Sequence, residues 1–260
     1  PAPILEYRFD ICSYDATPGD VFDQTGNFNG SSNGVPSSSN ESIINQSLDL
    51  RENNTSDWVS VPSNAIDGLN DFSVSVWFKT AVNKNQQEIL HALGNNTNDD
   101  ELEIHLRNNN TVVVKVRDVE SSLTSSILLT DNNWHHLAIA REDQNICLFI
   151  DGAQQTCTAS ASAGVLSVTN ANAIVIGQEQ DQFGGGFSTA QNFEGQLDEF
   201  KIYDVRLSDS DVTSIYVNEL AGTNYDASTR DAINCNYICS APSTLNAVGI
   251  RIGGGGTDTQ

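Results

Sequence analysis

Apolar and polar residues alternate along most of this chain with a period of two. Leu5, Tyr7 and Phe9 fall on one side of an extended segment and Glu6 and Arg8 on the other. Phe72, Val74, Val76 and Phe78 alternate with Ser73, Ser75 and Lys79. The same rhythm returns at Leu102, Ile104 and Leu106, at Val112, Val114 and Val116, and at Leu137 and Ile139. It continues through Ile146, Leu148 and Ile150, and then Ile174 and Ile176. Each run is short and ends in Asn, Asp, Gly or Ser. Short alternating runs bounded by turn formers predict an all-β, two-sheet antiparallel sandwich, with one residue set facing the core and the other facing solvent or a groove.

One segment breaks the rhythm. Val212, Ile215, Tyr216 and Leu220 recur at helical spacing, Ser208 can cap the start, and Asp211 can complete a capping box. Gly222 then stops the helix. From about Thr223 the periodicity fades, and Gly253 to Gly256 read as a flexible linker. The expected organisation is a sandwich over 1–222 and a C-terminal extension with a Gly-rich linker over 223–260.

Composition narrows the function. The 260 residues carry a formal charge of −22, which excludes nucleic acid as a partner, because phosphate binding needs clustered Lys and Arg. Anionic membranes are disfavoured for the same reason, and cations are the natural counterions of such a surface. No run of 18 apolar residues is present, so no direct membrane insertion is expected. The start Pro1-Ala2-Pro3 lacks a signal-peptide pattern and the chain holds no Met, as expected of a mature or excised piece of a longer precursor.

The five cysteines do not make a zinc pattern. Cys147 and Cys157 flank the hairpin dipeptide Asp151-Gly152, so two strands leaving that turn can oppose the two sulfurs. Cys12 is expected to pair with Cys235 or Cys239, tying the N-terminal strand to the tail. Disulfides imply an oxidising, extracellular compartment.

One loop invites a cation. After Ile176 come Gly177-Gln178-Glu179-Gln180-Asp181, three glycines at Gly184 to Gly186, and Gln191. Glu179 and Asp181 stand two apart and can point to one side of an extended loop. Gln180 can add its backbone carbonyl, and Gln191 can approach if the glycines fold the loop back. Calcium takes six to eight such oxygens. The plainer alternative is an ordinary acidic surface loop.

Gly177 to Gly185 resembles the calcium loop of pentraxins, and residues from about 4 to 222 resemble laminin-G-like, concanavalin A-like domains. The motifs that carry this are Leu5 to Asp10, Phe72 to Phe78, Asn133-Trp134-His135-His136-Leu137-Ala138, Leu148 to Gly152 and Gly195 to Tyr203. The opening motif and the tail Asn218 to Gly222, with Arg230 and Cys235, are also similar to the laminin-G-like region of MshQ-type proteins. Those are associated with the mannose-sensitive haemagglutinin pilus of marine Gram-negative bacteria.

The pentraxin resemblance implies calcium ligands at Glu179, the Gln180 carbonyl, Asp181 and Gln191, and two adjacent ions. Ser188 stands where the family loop offers an acid, and Gln86 and Gln87 stand where it offers an Asp-Asn pair. Neutral amides bind calcium more weakly, so one ion is better supported than two, with Asp99 or Asp100 as substitutes from a nearby loop. The laminin-G-like resemblance implies a structural calcium held by Asp23, the following loop including Asn27, and Asp198. Asp198 is expected on the inward face with Phe200 and Ile202, where a carboxylate needs a partner or a cation. The alternative for Asp23 is a turn in which it caps backbone amides.

Catalysis is not expected. Adjacent strand residues point to opposite faces, so His135 and His136 cannot readily share one ion. A sandwich glycosidase needs two carboxylates facing across a cleft. The nearest pattern, Asp99-Asp100-Glu101-Leu102-Glu103, lacks the Glu-x-Asp-x-x-Glu spacing. The resulting expectation is a calcium-dependent, carbohydrate-binding module of a bacterial surface or pilus-associated adhesin, joined to other domains of the same protein. A calcium-stiffened spacer is the alternative.

Overall fold

The computed structural model describes residues 1–51, 56–233 and 235. Two antiparallel sheets form the sandwich that the alternation predicts. The strands are β1 (Leu5–Tyr7), β2 (Ser31–Asn33), β3 (Ser37–Ser39), β4 (Ser47–Asp49), β5 (Trp58–Val61), β6 (Phe72–Lys79), β7 (Gln87–Leu93), β8 (Asp100–Arg107), β9 (Thr111–Val116), β10 (Val119–Thr124), β11 (Trp134–Glu142), β12 (Asn145–Ile150), β13 (Ala153–Thr158), β14 (Ile174–Ile176) and β15 (Gln196–Tyr203). The first sheet runs β13-β12-β11-β6-β15-β4-β3, with β1 also on β15, and the second runs β10-β9-β8-β7-β14-β5-β2.

The core lies between the sheets and is built from the expected residues. Val74, Val76 and Phe78 meet Leu102, Ile104, Leu106, Val112, Val114, Ile174 and Ile176 in one buried cluster. Each such aliphatic side chain contributes roughly 1.5–3 kcal/mol by leaving water. Both expected hairpin and tail crosslinks form: Cys147 bonds Cys157 across the β12–β13 pair, and Cys12 bonds Cys235. Cys239 and the glycines at 253–256 lie outside the described residues.

Helix α1 (Asp209–Leu220) starts with the expected capping box, Ser208 accepting from the Asp211 amide while Asp211 accepts from the Ser208 amide. Such a cap is worth about 1 kcal/mol. Val212 and Ile215 pack on Ala138, Ala140, Phe149 and Tyr203 of the first sheet's outer face. Leu220, expected on the buried stripe, is exposed, and Glu219 is fully buried instead. The reason is an ionic layer beneath the helix. Lys201 Nζ lies 2.8 Å from Glu199 and 2.7 Å from Glu219, and the Trp77 indole donates to Glu219 at 2.7 Å. Arg230 adds ion pairs to Glu199 and, at 3.0 Å, to Asp10, while Arg8 pairs with Glu6. The described part of the expected extension therefore packs on the sandwich through Arg230 and Tyr225.

Two bulges re-aim side chains. In β7 the register passes from Glu88↔His105 to Leu90↔Ile104, skipping Ile89. In β15 it passes from Asp198↔Trp77 to Lys201↔Ser75, and Glu199 takes φ +51°. A bulge inserts one residue and reverses the alternation beyond it.

Candidate functional site

The β7 bulge decides which groups share a surface. Glu88 and His91 are three apart and would face opposite ways in a regular strand. With Ile89 looped out, Glu88 sits opposite His105 and His91 opposite Glu103, both on the outer face of β8. Glu103 in turn faces Lys115 across the β8–β9 pair. The outer face of the second sheet thus gathers Glu88, His91, Glu103, His105 and Lys115, and Asp100 joins them from the start of β8.

The polar contacts are dense. Lys115 Nζ lies 2.6 Å from both Asp100 Oδ2 and Glu103 Oε2. The Gln86 amide donates to Glu88 Oε2 at 3.2 Å and to Glu103 Oε1 at 3.3 Å. His105 Nδ1 approaches Glu103 Oε1 at 2.5 Å and Glu88 Oε2 at 3.6 Å, without hydrogen-bonding angles. Burial, and next the charge of Glu103, push the Glu88 carboxyl well above the usual range. Burial acts the same way on Glu103, but His105 and Lys115 outweigh it and hold that carboxyl at about 2. The His91 and Lys115 hydrogen bonds hold Asp100 far below the ordinary carboxylate range.

The loop 177–191 closes over this face. Gly177 starts it with φ +90°, a left-handed conformation that favours glycine, and a Cβ there would also push on Leu50 Cδ1. Its amide donates to Ile89, and the Glu88 amide donates to the Gln191 carbonyl at 2.9 Å, so both ends of the loop are pinned to β7. The Gln180 amide donates to His91 Nδ1 at 3.0 Å, which places the ring proton on Nε2, 3.1 Å from Asp100 Oδ1. Farther along, Lys84 holds Thr189, Asn192 and Glu194.

The expected calcium residues fall into three groups. Glu179 is half-buried and turned toward the acidic face; among the described residues no donor reaches its Oε2. Burial, opposed by His91 and reinforced by Asp181, Glu103 and Asp100, pushes its carboxyl up. Asp181 is exposed beside it, and Gln191 reaches Glu88 through its backbone. Gln180 has its side chain locked inward on the Ala173 and His91 carbonyls, leaving the backbone carbonyl as its offer. Ser188 serves a turn, its carbonyl accepting the Gln191 and Asn192 amides.

Of the expected ligand-facing residues, Gln86 lies on the carboxylates, but Gln87 does not. Its amide donates to Val82 O and its oxygen accepts from Thr80 and Glu194, so it is a buried structural residue. Asp100 joins the acidic face. Asp99 turns away into a separate cleft of about 280 Å³ with Asn95, Glu101 and Arg117.

At the expected second calcium site, Asp23 and Asp198 each have donors of their own. The Asp23 carboxylate accepts backbone amides from Glu6, Thr25, Asn27 and Phe28 and the Thr25 hydroxyl, the turn-capping alternative. Asp198 accepts from Ile43, Ile44 and Glu199. The β15 bulge places it opposite Trp77, so it does not share the inward face of Phe200 and Ile202. The two histidines at 135 and 136 have separate surroundings: His135 sits between Asp131 and Asp151, and His136 bonds Ser75 under the helix. Burial, with the Lys201 charge nearby, holds His136 down at about 3.

Sequence reasoning missed Glu88, His91, Glu103 and His105 as a group. The signal was the polar set Glu101, Glu103 and His105 alternating with the β8 core residues. What it could not supply was the partner strand.

Comparison with known proteins agrees with this architecture. Human neuronal pentraxin-1 is 28% identical over 152 residues, covering 55% of this chain and 33% of that protein. The rat sushi, von Willebrand factor type A, EGF and pentraxin domain-containing protein 1 is 31% identical over 98 residues, 37% of this chain and 3% of that one. The chain thus spans a third or less of these curated relatives. Among solved structures, domain 4 of the extracellular arabinanase AbnA from Geobacillus stearothermophilus, in complex with arabinotriose, superposes with TM-score 0.59 at 20% identity, over 81% of this chain and 96% of that one. Residues 53–213 match the family model of the concanavalin A-like lectin/glucanases superfamily, and the chain belongs to that superfamily.

Proposed function

We propose that this chain is a calcium-dependent ligand-binding module with glycan as its ligand. The observation that carries the reading is the carboxylate surface beneath loop 177–191. Glu179 brings an unpartnered, buried oxygen to a face that already holds Glu88, Glu103 and Asp100 with Lys115 as the nearby lysine. A buried carboxylate oxygen without a donor, as on Glu179, is relieved by a proton or by a cation. Glu179, Asp181, the Gln180 carbonyl and Gln191 would hold calcium, all as oxygen donors. Trp58 and Phe187, half-buried with rings 4.5 Å apart, add an apolar flank for a sugar ring. Likeness to pentraxins and to an arabinanase domain in complex with arabinotriose supports the same direction, and the MshQ-type sequence motifs support a bacterial surface or pilus adhesin as its setting. No helix among the described residues is long and apolar enough to cross a membrane, and the two disulfides fit an extracellular site.

The test is a calorimetric calcium titration, followed by an oligosaccharide panel that includes arabino-oligosaccharides, with and without chelator. Asp181→Ala is expected to weaken calcium at least tenfold and to weaken glycan retention with it. Wild-type calcium affinity in that variant sinks the loop assignment. Calcium-dependent melting with no glycan retained would make the module a spacer.

A further inference from the structure

The second sheet carries two triads with the ligand types of a metal centre: Glu88, Glu103 and His105, and His91, Asp100 and Glu103, the ligand atoms of each within 4.8 Å of one another. Their hydrogen bonds separate them. Both His91 nitrogens are engaged, one by the Gln180 amide and the other by Asp100. His105 is 2% exposed, yet neither of its ring nitrogens has a hydrogen-bond partner among the described residues. Glu88 is fully buried, and its Oε1 is unpartnered too. Buried ring nitrogens and a buried carboxylate oxygen without hydrogen bonds are costly unless something else engages them.

We infer that Glu88, Glu103 and His105 bind a divalent transition ion of the zinc class, at a site separate from the calcium loop. Zinc bonds nitrogen and oxygen at about 2.0–2.2 Å, so tetrahedral ligands stand about 3.4 Å apart. His105 Nδ1 and Glu88 Oε2 are 3.6 Å apart, close to that spacing, while Glu103 Oε1 lies 2.5 Å from the same nitrogen and must draw back by about 1 Å to admit the ion. The imidazole selects the ion, since calcium takes oxygen donors and transition ions take nitrogen. Two carboxylates match the divalent charge, and the second oxygen of Glu103 stays anchored on Lys115. The half-buried Gln86 amide, which now lies across both carboxylates, marks the side from which the ion enters. Three protein ligands leave a fourth position for water.

The test uses the full chain after chelator treatment, titrated calorimetrically with Zn2+ alone and then with Zn2+ in millimolar Ca2+. One zinc per chain is expected, with Co2+ giving the visible absorption bands of a tetrahedral nitrogen–oxygen site. His105→Gln should lower zinc affinity at least tenfold and abolish those bands, whereas Asp181→Ala should leave zinc affinity within about twofold. Circular dichroism checks each fold, and Glu88→Gln, which keeps size and removes one anionic ligand, serves if His105→Gln does not fold. Unchanged zinc binding in a folded His105→Gln or Glu88→Gln overturns the inference. So does displacement of zinc by calcium or its loss in Asp181→Ala, either of which would put the ion in the loop. Because Asp181→Ala reports on the calcium reading and His105→Gln on this one, the two can fail independently.

Discussion

Two buried charged regions of this molecule, one on the outer face of each sheet, solve the same electrostatic problem differently. Under helix α1, the carboxylates Glu6, Asp10, Glu199 and Glu219 meet the cations Arg8, Lys201 and Arg230. On the second sheet, the carboxylates Glu88, Asp100, Glu103 and Glu179 meet Lys115 and two imidazoles. Four acids have three fixed cations in the first region and one in the second. The first is closed by its own chain, and burial's tendency to discharge Lys201 is outweighed by Glu219 and Glu6, which raise its pKa. The second is left short of fixed positive charge; burial raises Glu88 and Glu179 there, as it raises Asp10 and Glu219 in the first, but here a single lysine answers four carboxylates. A complete ionic layer fastens the helix and tail to the sheet. An incomplete one is a place for an ion from solution.

The largest expected effect comes from opening the complete region. Lys201→Met keeps most of the side-chain volume but leaves Glu199 and Glu219 buried without their shared cation. Removing one partner of a buried pair costs about 3–5 kcal/mol. Urea denaturation should show that loss, with or without added metal. A loss under about 1 kcal/mol would mean that Arg230 and the Trp77 indole suffice, and that the layer is less dependent on its lysine than the distances imply.

How much of this was legible in the sequence follows from the range of the interactions. The sandwich was, because Phe72 to Phe78 or Leu102 to Leu106 announce a buried face within a few residues. The Ser208–Asp211 cap was also legible, being a contact three residues long. The hairpin disulfide at Cys147 and Cys157 needed only a turn between them. The two bulges were not legible. Nothing local at Ile89 or Glu199 marks an extra residue, yet each moves a chemically decisive side chain: Glu88 onto the face of His91, and Asp198 away from Phe200. Glu219 on the buried side of α1 was equally hidden, since its partner Lys201 comes from a strand. Asp23 was legible only as a pair of alternatives, and the five donors around it match the turn.

The incomplete region should answer the corresponding change with the opposite sign. Glu88→Gln replaces a buried carboxyl that burial already drives toward its neutral form, in a set with one fixed cation. In metal-free protein it should be neutral or stabilising by about 1 kcal/mol, the usual size of a coupling between neighbouring charged groups. In saturating Zn2+ the wild type should regain the advantage, because only it keeps both carboxylate ligands. Denaturation in chelator and in zinc compares the two directly. A Glu88→Gln variant less stable than wild type by 3 kcal/mol or more in chelator would place this region with the complete one, and the contrast between them would collapse.

The smallest effect tests a case between these extremes. His135 is buried between Asp131 at 3.1 Å and Asp151 at 2.9 Å, a single imidazole for two partly exposed carboxylates. Burial would lower its pKa, but Asp151 and then Asp131 outweigh this and raise it above 6.5. A histidine raised on folding binds its proton more tightly in the native state. Its contribution is therefore full below pH 6.5, the ordinary value, and is lost as pH rises through the folded pKa. Water reaches the two aspartates and screens them, so the slope should be shallow. Melting temperature followed upward from pH 6 should fall slightly in the wild type, and His135→Asn should remove that fall while keeping any pH dependence that arises elsewhere. If the variant retains the full slope, the charge on His135 is not what couples this site to stability. The two aspartates would then be held by water and by the backbone amides of Asn133 and His136, which they already accept.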